Sequence, residues 1–138
     1  MAFKHQELCD GILKTFYHVY NELGYGFLEK VYQNSLYMEL KNRGYNVEAQ
    51  KKLNVFFKGK IVGVFYADLV VDEVVLLELK AAECIVIEFE QQVVNYLRST
   101  DIEVGYILNF GHKPEFKRKI FDNEFKKESI KKQSISQF

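Results

Sequence analysis

Three ionisable residues interrupt an otherwise apolar stretch, Ala67 to Ala81 (ADLVVDEVVLLELKA): Asp68, Glu78 and Lys80. The runs Leu69 to Val71 and Val74 to Leu77 are rich in Val and Leu and flank the polar pair Asp72 and Glu73, the pattern of two adjacent antiparallel strands. Side chains alternate along a strand, so Glu78 and Lys80 share one face and Leu77 and Leu79 the other. An odd loop or a bulge between the strands sets Asp68 opposite Glu78. A two-residue turn pairs Asp68 with Leu77 instead and separates the carboxylates. Two carboxylates about 4 Å apart repel by roughly 4 kcal/mol at an effective dielectric near 20, so such a pair needs a proton, a cation or a metal between its members. The plain alternative is an edge strand whose Glu78 and Lys80 face water, with Asp68 ending a turn.

Other elements must bring further groups to these. Leu8, Ile12, Thr15, Phe16, Val19 and Leu23 recur every three or four residues, which predicts an amphipathic helix over His5 to Leu23, with His18 off the buried stripe. Gly24 and Gly26 end it, and a second helix is predicted from Phe27 to Asn42. Its stripe of Tyr32, Leu36 and Leu40 begins with an acid, Glu29. That acid either joins a polar site or, lying in the first turn, favours the helix dipole. Val47 to Phe57 and Ile61 to Asp68, linked by Lys58, Gly59 and Lys60, predict a hairpin whose second arm leads into the Asp68 strand, a three-stranded antiparallel meander through Lys80. Ala81 to Ile87 is a connection, and Glu88 to Thr100 a helix buried along Phe89, Val93, Tyr96 and Leu97. Gln92 and Tyr96 are neighbours on it. Glu103 to Phe110 is apolar on both faces, hence a central strand. Gly111 to Pro114 is a turn, and Phe116 to Phe121 (FKRKIF) a basic edge strand.

A length of 138 residues suits one domain, here 1–125, followed by a polar tail, 126–138. Apolar content of 48% and aromatic content of 15% can fill a core, which excludes a disordered chain. Nineteen basic and nineteen acidic residues cancel, so no global charge marks a nucleic-acid binder. The acids gather between Asp68 and Glu90, and the bases beyond Gly111. Cys9 and Cys84 lack the spacing of a zinc site or a disulfide framework and read as small apolar residues in a reducing compartment. No run of about 18 apolar residues predicts a membrane span, and MAFKHQELCD lacks a signal-peptide core, so a cytoplasmic location is expected.

Gly26, Glu29 and Tyr32 in GFLEKVY match the GxxExxY signature. Together with Asp68-Leu69-Val70-Val71, Glu78-Leu79-Lys80-Ala81, Gln92 with Asn95-Tyr96-Leu97, and Leu108-Asn109-Phe110-Gly111, it makes a chain that resembles the GxxExxY family of the PD-(D/E)XK nuclease superfamily from Leu8 to Phe121. Phe89 departs from that family, whose members often carry a polar or His residue before the Gln. The resemblance implies an α+β fold with a restriction-endonuclease-like core: N-terminal helices, an antiparallel meander, a helix and further strands in a mixed sheet. It implies Asp68, Glu78 and the Leu79 carbonyl as metal ligands, with Glu29 reaching the metal or its water. It implies Lys80 as the residue that orients or deprotonates the attacking water, and Gln92 with Tyr96 as a QxxxY element beside it.

Oxygen-only ligands suit Mg²⁺ or Mn²⁺ and not zinc. Such an ion offsets carboxylate repulsion, lowers the pKa of bound water and stabilises charge on a phosphodiester. The leading expectation is therefore a metal-dependent nuclease acting on DNA, end- or structure-selective, since no recognition helix is evident. Lys113, Lys117, Arg118 and Lys119 are the candidate DNA contacts. A non-catalytic nuclease-fold module that binds nucleic acid or a protein partner is the alternative. No membrane partner is expected, and a homodimer stays open.

Overall fold

The stripe Leu8, Ile12, Phe16 and Val19 drives the first eighteen-residue helix, α1 (Gln6–Leu23), onto one face of a sheet in the computed structural model, which describes residues 3–127. Gly24 and Gly26, at φ +69° and +108°, turn the chain where a side chain would be strained. The next helix, α2 (Glu29–Asn42), starts two residues later than its stripe predicts because Leu28 is extended, at φ −70° and ψ 153°. Tyr32, Leu36 and Leu40 bury its inner side against α1 and the sheet.

β1 (Val47–Phe57) and β2 (Lys60–Val71) form the expected hairpin, closed at Lys58 and Gly59, both at positive φ. A two-residue turn of that kind matches the twist of its strands. β3 (Val75–Lys80) completes the meander, α3 (Ile87–Arg98) crosses over, and β4 (Val104–Phe110) pairs parallel with β3. β5 (Pro114–Ile120) runs antiparallel along the far edge. The sheet order is β1-β2-β3-β4-β5, and a 3-10 turn spans Asn123–Phe125. Every residue of β4 is buried, as an interior strand apolar on both faces requires. Pro114 opens β5 instead of sitting in the turn, a place where its missing N–H costs no ladder bond.

α1 and α2 cover one face of the sheet, over Leu69, Val71, Leu77 and Leu79. α3 covers the other, over Val70, Leu76 and Ile107. Gly105 lets α3 come close, since a Cβ there would stand 2.9 Å from Val93 Cγ1. α3 ends at Arg98, two residues early, where the Ser99 and Thr100 hydroxyls donate to the Asn95 and Tyr96 carbonyls. Lys126 is buried, its Nζ donating to the Thr100 and Ile102 carbonyls at 2.6 and 2.9 Å. The rest of the expected tail, from residue 128, lies outside the described residues. Cys9 is buried as expected, but Cys84 is exposed on the β3–α3 connection.

Candidate functional site

The connection between β2 and β3 decides where the acids go. Asp72 and Glu73 both adopt positive φ, Val74 N–H donates to the Val71 carbonyl, and Val71 pairs with Val75. The loop therefore has three residues, Asp72 to Val74, held by paired bonds between Asp72 and Asn46. The ladder Val71↔Val75, Val70↔Leu76, Leu69↔Leu77 has the register that puts Asp68 across from Glu78 at the next position. The two-residue register is not the one adopted.

Beyond Leu69 and Leu77 the ladder stops, and the acids take over its bonding. Asp68 Oδ2 accepts the Leu79 N–H at 2.8 Å, and Glu78 Oε1 accepts the Asp68 N–H at 3.4 Å. Each carboxylate thus satisfies a backbone donor that the splayed strands leave without a carbonyl. The side-chain alternation also slips at this level. Leu69 packs on the α1 and α2 side, yet Ala67 packs on the α3 side, and Gln50, across from Asp68 on β1, takes a left-handed φ of +51°.

Glu78 is 6% exposed, so it does not lie in water on an edge strand. Burial and then the Asp68 charge push its carboxyl up to about 8, against smaller opposing effects from the Asp68 N–H and Lys80. Glu29, first residue of α2, is exposed and not buried under its stripe. Its carboxyl is nevertheless raised, by partial desolvation first and in part by Asp68, while Lys80 and the Ala81 N–H hold it down. Glu29, Asp68, Glu78 and Lys80 therefore share one electrostatic neighbourhood where α2 begins and β3 ends. Lys80 Nζ lies 4.6 Å from the centre of the Phe89 ring, so the residue that departs from the family pattern is the apolar platform for this cation. Gln92 Nε2 donates to the Tyr96 hydroxyl at 2.7 Å, and the Tyr96 ring stacks on Phe65 at 3.6 Å. Desolvation and then Glu78 raise the Tyr96 phenol, which joins this pair to the acids.

The Gly and Tyr of the GxxExxY signature are architectural. The Tyr32 hydroxyl donates to the Gly24 carbonyl at 2.6 Å and accepts the Phe27 N–H at 3.3 Å, which locks the α1–α2 turn and fixes the start of the helix that carries Glu29. Three further side chains support the site, of which Gln33 and Gln50 are not singled out by the sequence. Gln50 Nε2 donates to both Gln33 Oε1 (2.9 Å) and Asp68 Oδ1 (3.3 Å), and Gln33 is buried. Asn109, fully buried beside Lys80 in the parallel register, holds Ala82 with bonds of 2.9 and 3.0 Å and so pins the chain just after Lys80. The only sequence signal for Gln33 was a polar residue beside Tyr32. For Gln50, a left-handed residue inside a strand, there was none.

The basic run does not make one face. Arg118 donates to the Lys4 carbonyl at 3.0 Å with its guanidinium over Phe3, and Lys119 pairs with Glu90. Lys113 and Lys117 are exposed, Lys117 beside Cys84 and Ile85 of the β3–α3 connection. His18 lies on the surface near Glu22 and Glu39, away from the site.

The fold and the residues at the end of β3 define an α+β domain of restriction-endonuclease-like build. Its sequence matches the PD-(D/E)XK nuclease superfamily over residues 6–119, and the chain belongs to that superfamily. Among solved structures it is similar to SSO0001, known from a crystal structure, with a TM-score of 0.52 at 16% identity, over 67% of this chain and 50% of that one. At that identity the likeness speaks for the fold, and the chain spans about half the length of this relative. No curated protein matches. Among the described residues, no helix is long and apolar enough to cross a membrane.

PD-(D/E)XK nucleases generally use divalent metal ions. The donors here fit one: two facing carboxylates, one of them driven toward protonation by burial and then by the other, form an oxygen-only set short of positive charge. Asp68, Glu78 and the Leu79 carbonyl would hold it. Among the described residues no three acids, histidines or cysteines are gathered closely enough to complete a shell alone, so Glu29 stands off as an outer acid.

Proposed function

We propose that this protein is a metal-dependent nuclease that hydrolyses phosphodiester bonds of DNA, with Mg²⁺ or Mn²⁺ held by Asp68 and Glu78. One observation carries the reading: the three-residue loop sets Asp68 opposite a buried Glu78, with Lys80 two residues on along the same strand. When bound, the ion would acidify a water and stabilise charge on the scissile phosphate. Lys80 supplies the positive charge that orients the water or steadies the phosphate, and Phe89 restrains its swing. Gln92 and Tyr96 wall the site toward α3, where their mutual hydrogen bond leaves the Gln carbonyl to position water or a DNA end. Glu29 marks the mouth and polarises outer water. With Lys113 and Lys117 exposed on the β5 side and in no ion pair among the described residues, end- or structure-directed cleavage is favoured over base reading.

The test is incubation with Mg²⁺ or Mn²⁺ and single-stranded, duplex or branched DNA. Cleavage of at least one substrate is expected, falling by orders of magnitude in Glu78→Ala and Lys80→Ala. No cleavage of any, or undiminished cleavage by both variants, refutes the reading. The incomplete acid shell favours one competitor, a non-catalytic nuclease-fold module. Calorimetric titration with Mn²⁺ separates them: the nuclease requires binding that Asp68→Asn abolishes, and the module predicts none.

A further inference from the structure

β2 pairs with β3 only at Leu69, Val70 and Val71, so its first part, with β1 beside it, extends past the sheet as a two-stranded ribbon. From Lys51 to Tyr66 that ribbon holds four lysines and no acid, in a chain whose formal charge is zero. The remainder of the chain therefore carries four net negative charges. Lys51 is engaged by Glu48 at 2.8 Å, while Lys52, Lys58 and Lys60 are exposed and have no ion-pair partner among the described residues. Around them Phe57, Ile61, Val62, Val64 and Tyr66 are also exposed. Lysines that merely guard a strand edge against pairing need not exclude every acid from sixteen residues. The ribbon is tied to the site at its base, since Phe65 stacks on Tyr96 and Asp68 ends the segment.

We propose that this β1–β2 ribbon is a docking surface for duplex DNA, laying the sugar-phosphate backbone along Lys52, Lys58 and Lys60 and leading it to the acids at the ribbon's base. The proposal rests on the nuclease reading and gives that site its substrate-binding surface. Lys60 precedes Asp68 by eight residues, a reach of about 27 Å along the strand, or roughly eight base-pair steps of duplex. A two-stranded ribbon has the width that a major groove admits. Most of its exposed apolar side chains are branched aliphatics instead of the aromatic platforms on which unpaired bases stack, which favours duplex over single strand.

The test measures fluorescence-anisotropy binding of a duplex oligonucleotide in chelator, where no cleavage occurs. It compares the full chain, Lys58→Glu/Lys60→Glu, Lys52→Glu, and Lys14→Glu/Lys41→Glu, which matches the first variant's change of net charge on other elements. The ribbon variants are expected to lose roughly tenfold or more in affinity. With two contacts gone, the slope of log affinity against log salt should be shallower by about 1.8. The Lys14/Lys41 variant should bind like the unaltered chain. Equal affinity for all four proteins, an equal loss in the Lys14/Lys41 variant, or tighter binding of single strands than of duplex overturns the proposal. Concentration-dependent self-association abolished by the ribbon changes, with DNA binding intact, overturns it in favour of a second copy as occupant. Cleavage by the unaltered chain with Mn²⁺ is read separately. Its absence beside ribbon-dependent binding sinks the nuclease reading and leaves the ribbon, and cleavage beside ribbon-independent binding does the reverse.

Discussion

Glu78 is held in its protonated form near neutrality, chiefly by burial and then by the facing Asp68. Its folded pKa of about 8 stands above the ordinary value of 4.5, so between those values the native state binds more protons than the unfolded chain. The contribution to stability is therefore complete below the unfolded pKa and lost as pH rises through about 8, at most about 5 kcal/mol in all. Thermal unfolding in chelator should show a midpoint that falls across this window, and Glu78→Gln should flatten the slope. Gln50 offers a second measurement at this scale. Its left-handed φ is strained for any side chain but glycine, yet its amide ties Gln33 to Asp68. Gln50→Gly should leave the unfolding free energy unchanged or raise it by about 1 kcal/mol, while Mn²⁺ affinity falls about 10- to 100-fold, as for other supports of metal ligands. A joint fall of both would mean that Gln50 only packs.

The turn between α1 and α2 and the splayed ends of β2 and β3 do the positioning. Tyr32→Phe keeps the ring stacked on Phe110 at 4.3 Å but removes the hydroxyl from Gly24 and Phe27. Loss of about 1–3 kcal/mol is expected by chemical denaturation, and cleavage should fall with it because the start of α2 carries Glu29. Much at this scale was legible. The Val- and Leu-rich runs, the Lys58-Gly59 turn and the 3.6-residue stripes gave the three α-helices and five strands of the described residues to within a few positions, since burial acts through periodicity. What stayed hidden was non-local. Whether Asp68 faces Glu78 depends on one residue of loop length, and the slip of alternation at Gln50 leaves no mark in local pattern. The stripe left Glu29 open between a polar site and a first-turn acid, and it lies exposed because the first residue of a helix is beyond the packing that its later turns enjoy. The four bases of 113–119 read as one patch, yet alternation along β5 sends Arg118 to the opposite face from Lys117 and Lys119.

For the molecule as a whole, the site is a local cost held in place by two cores, one on each face of the sheet. A divalent ion that binds only the folded chain should offset that cost by mass action. At a hundred times its dissociation constant, Mn²⁺ should add about 2.7 kcal/mol, a midpoint rise of roughly 8 °C for a chain of this size. The rise should vanish in Asp68→Asn, and a rise that survives there would place the ion elsewhere. The charge distribution works on the same scale: acids collect around the end of β3, and the ribbon beside them is wholly basic, so a polyanion is drawn to the rim of a site that would repel it without metal.

The loop Asp72–Val74 makes this architecture sensitive to register. Sliding β3 by one position against β2 would replace Glu78 with Leu77 or Leu79 across from Asp68, and sliding it by two would restore the alternation of faces but set Leu76 or Lys80 there. Any change in this hairpin that slides the register should therefore silence the site, an even slide by losing the facing acid and an odd one by losing the face as well, while the largely apolar, buried β3 still packs in the sheet.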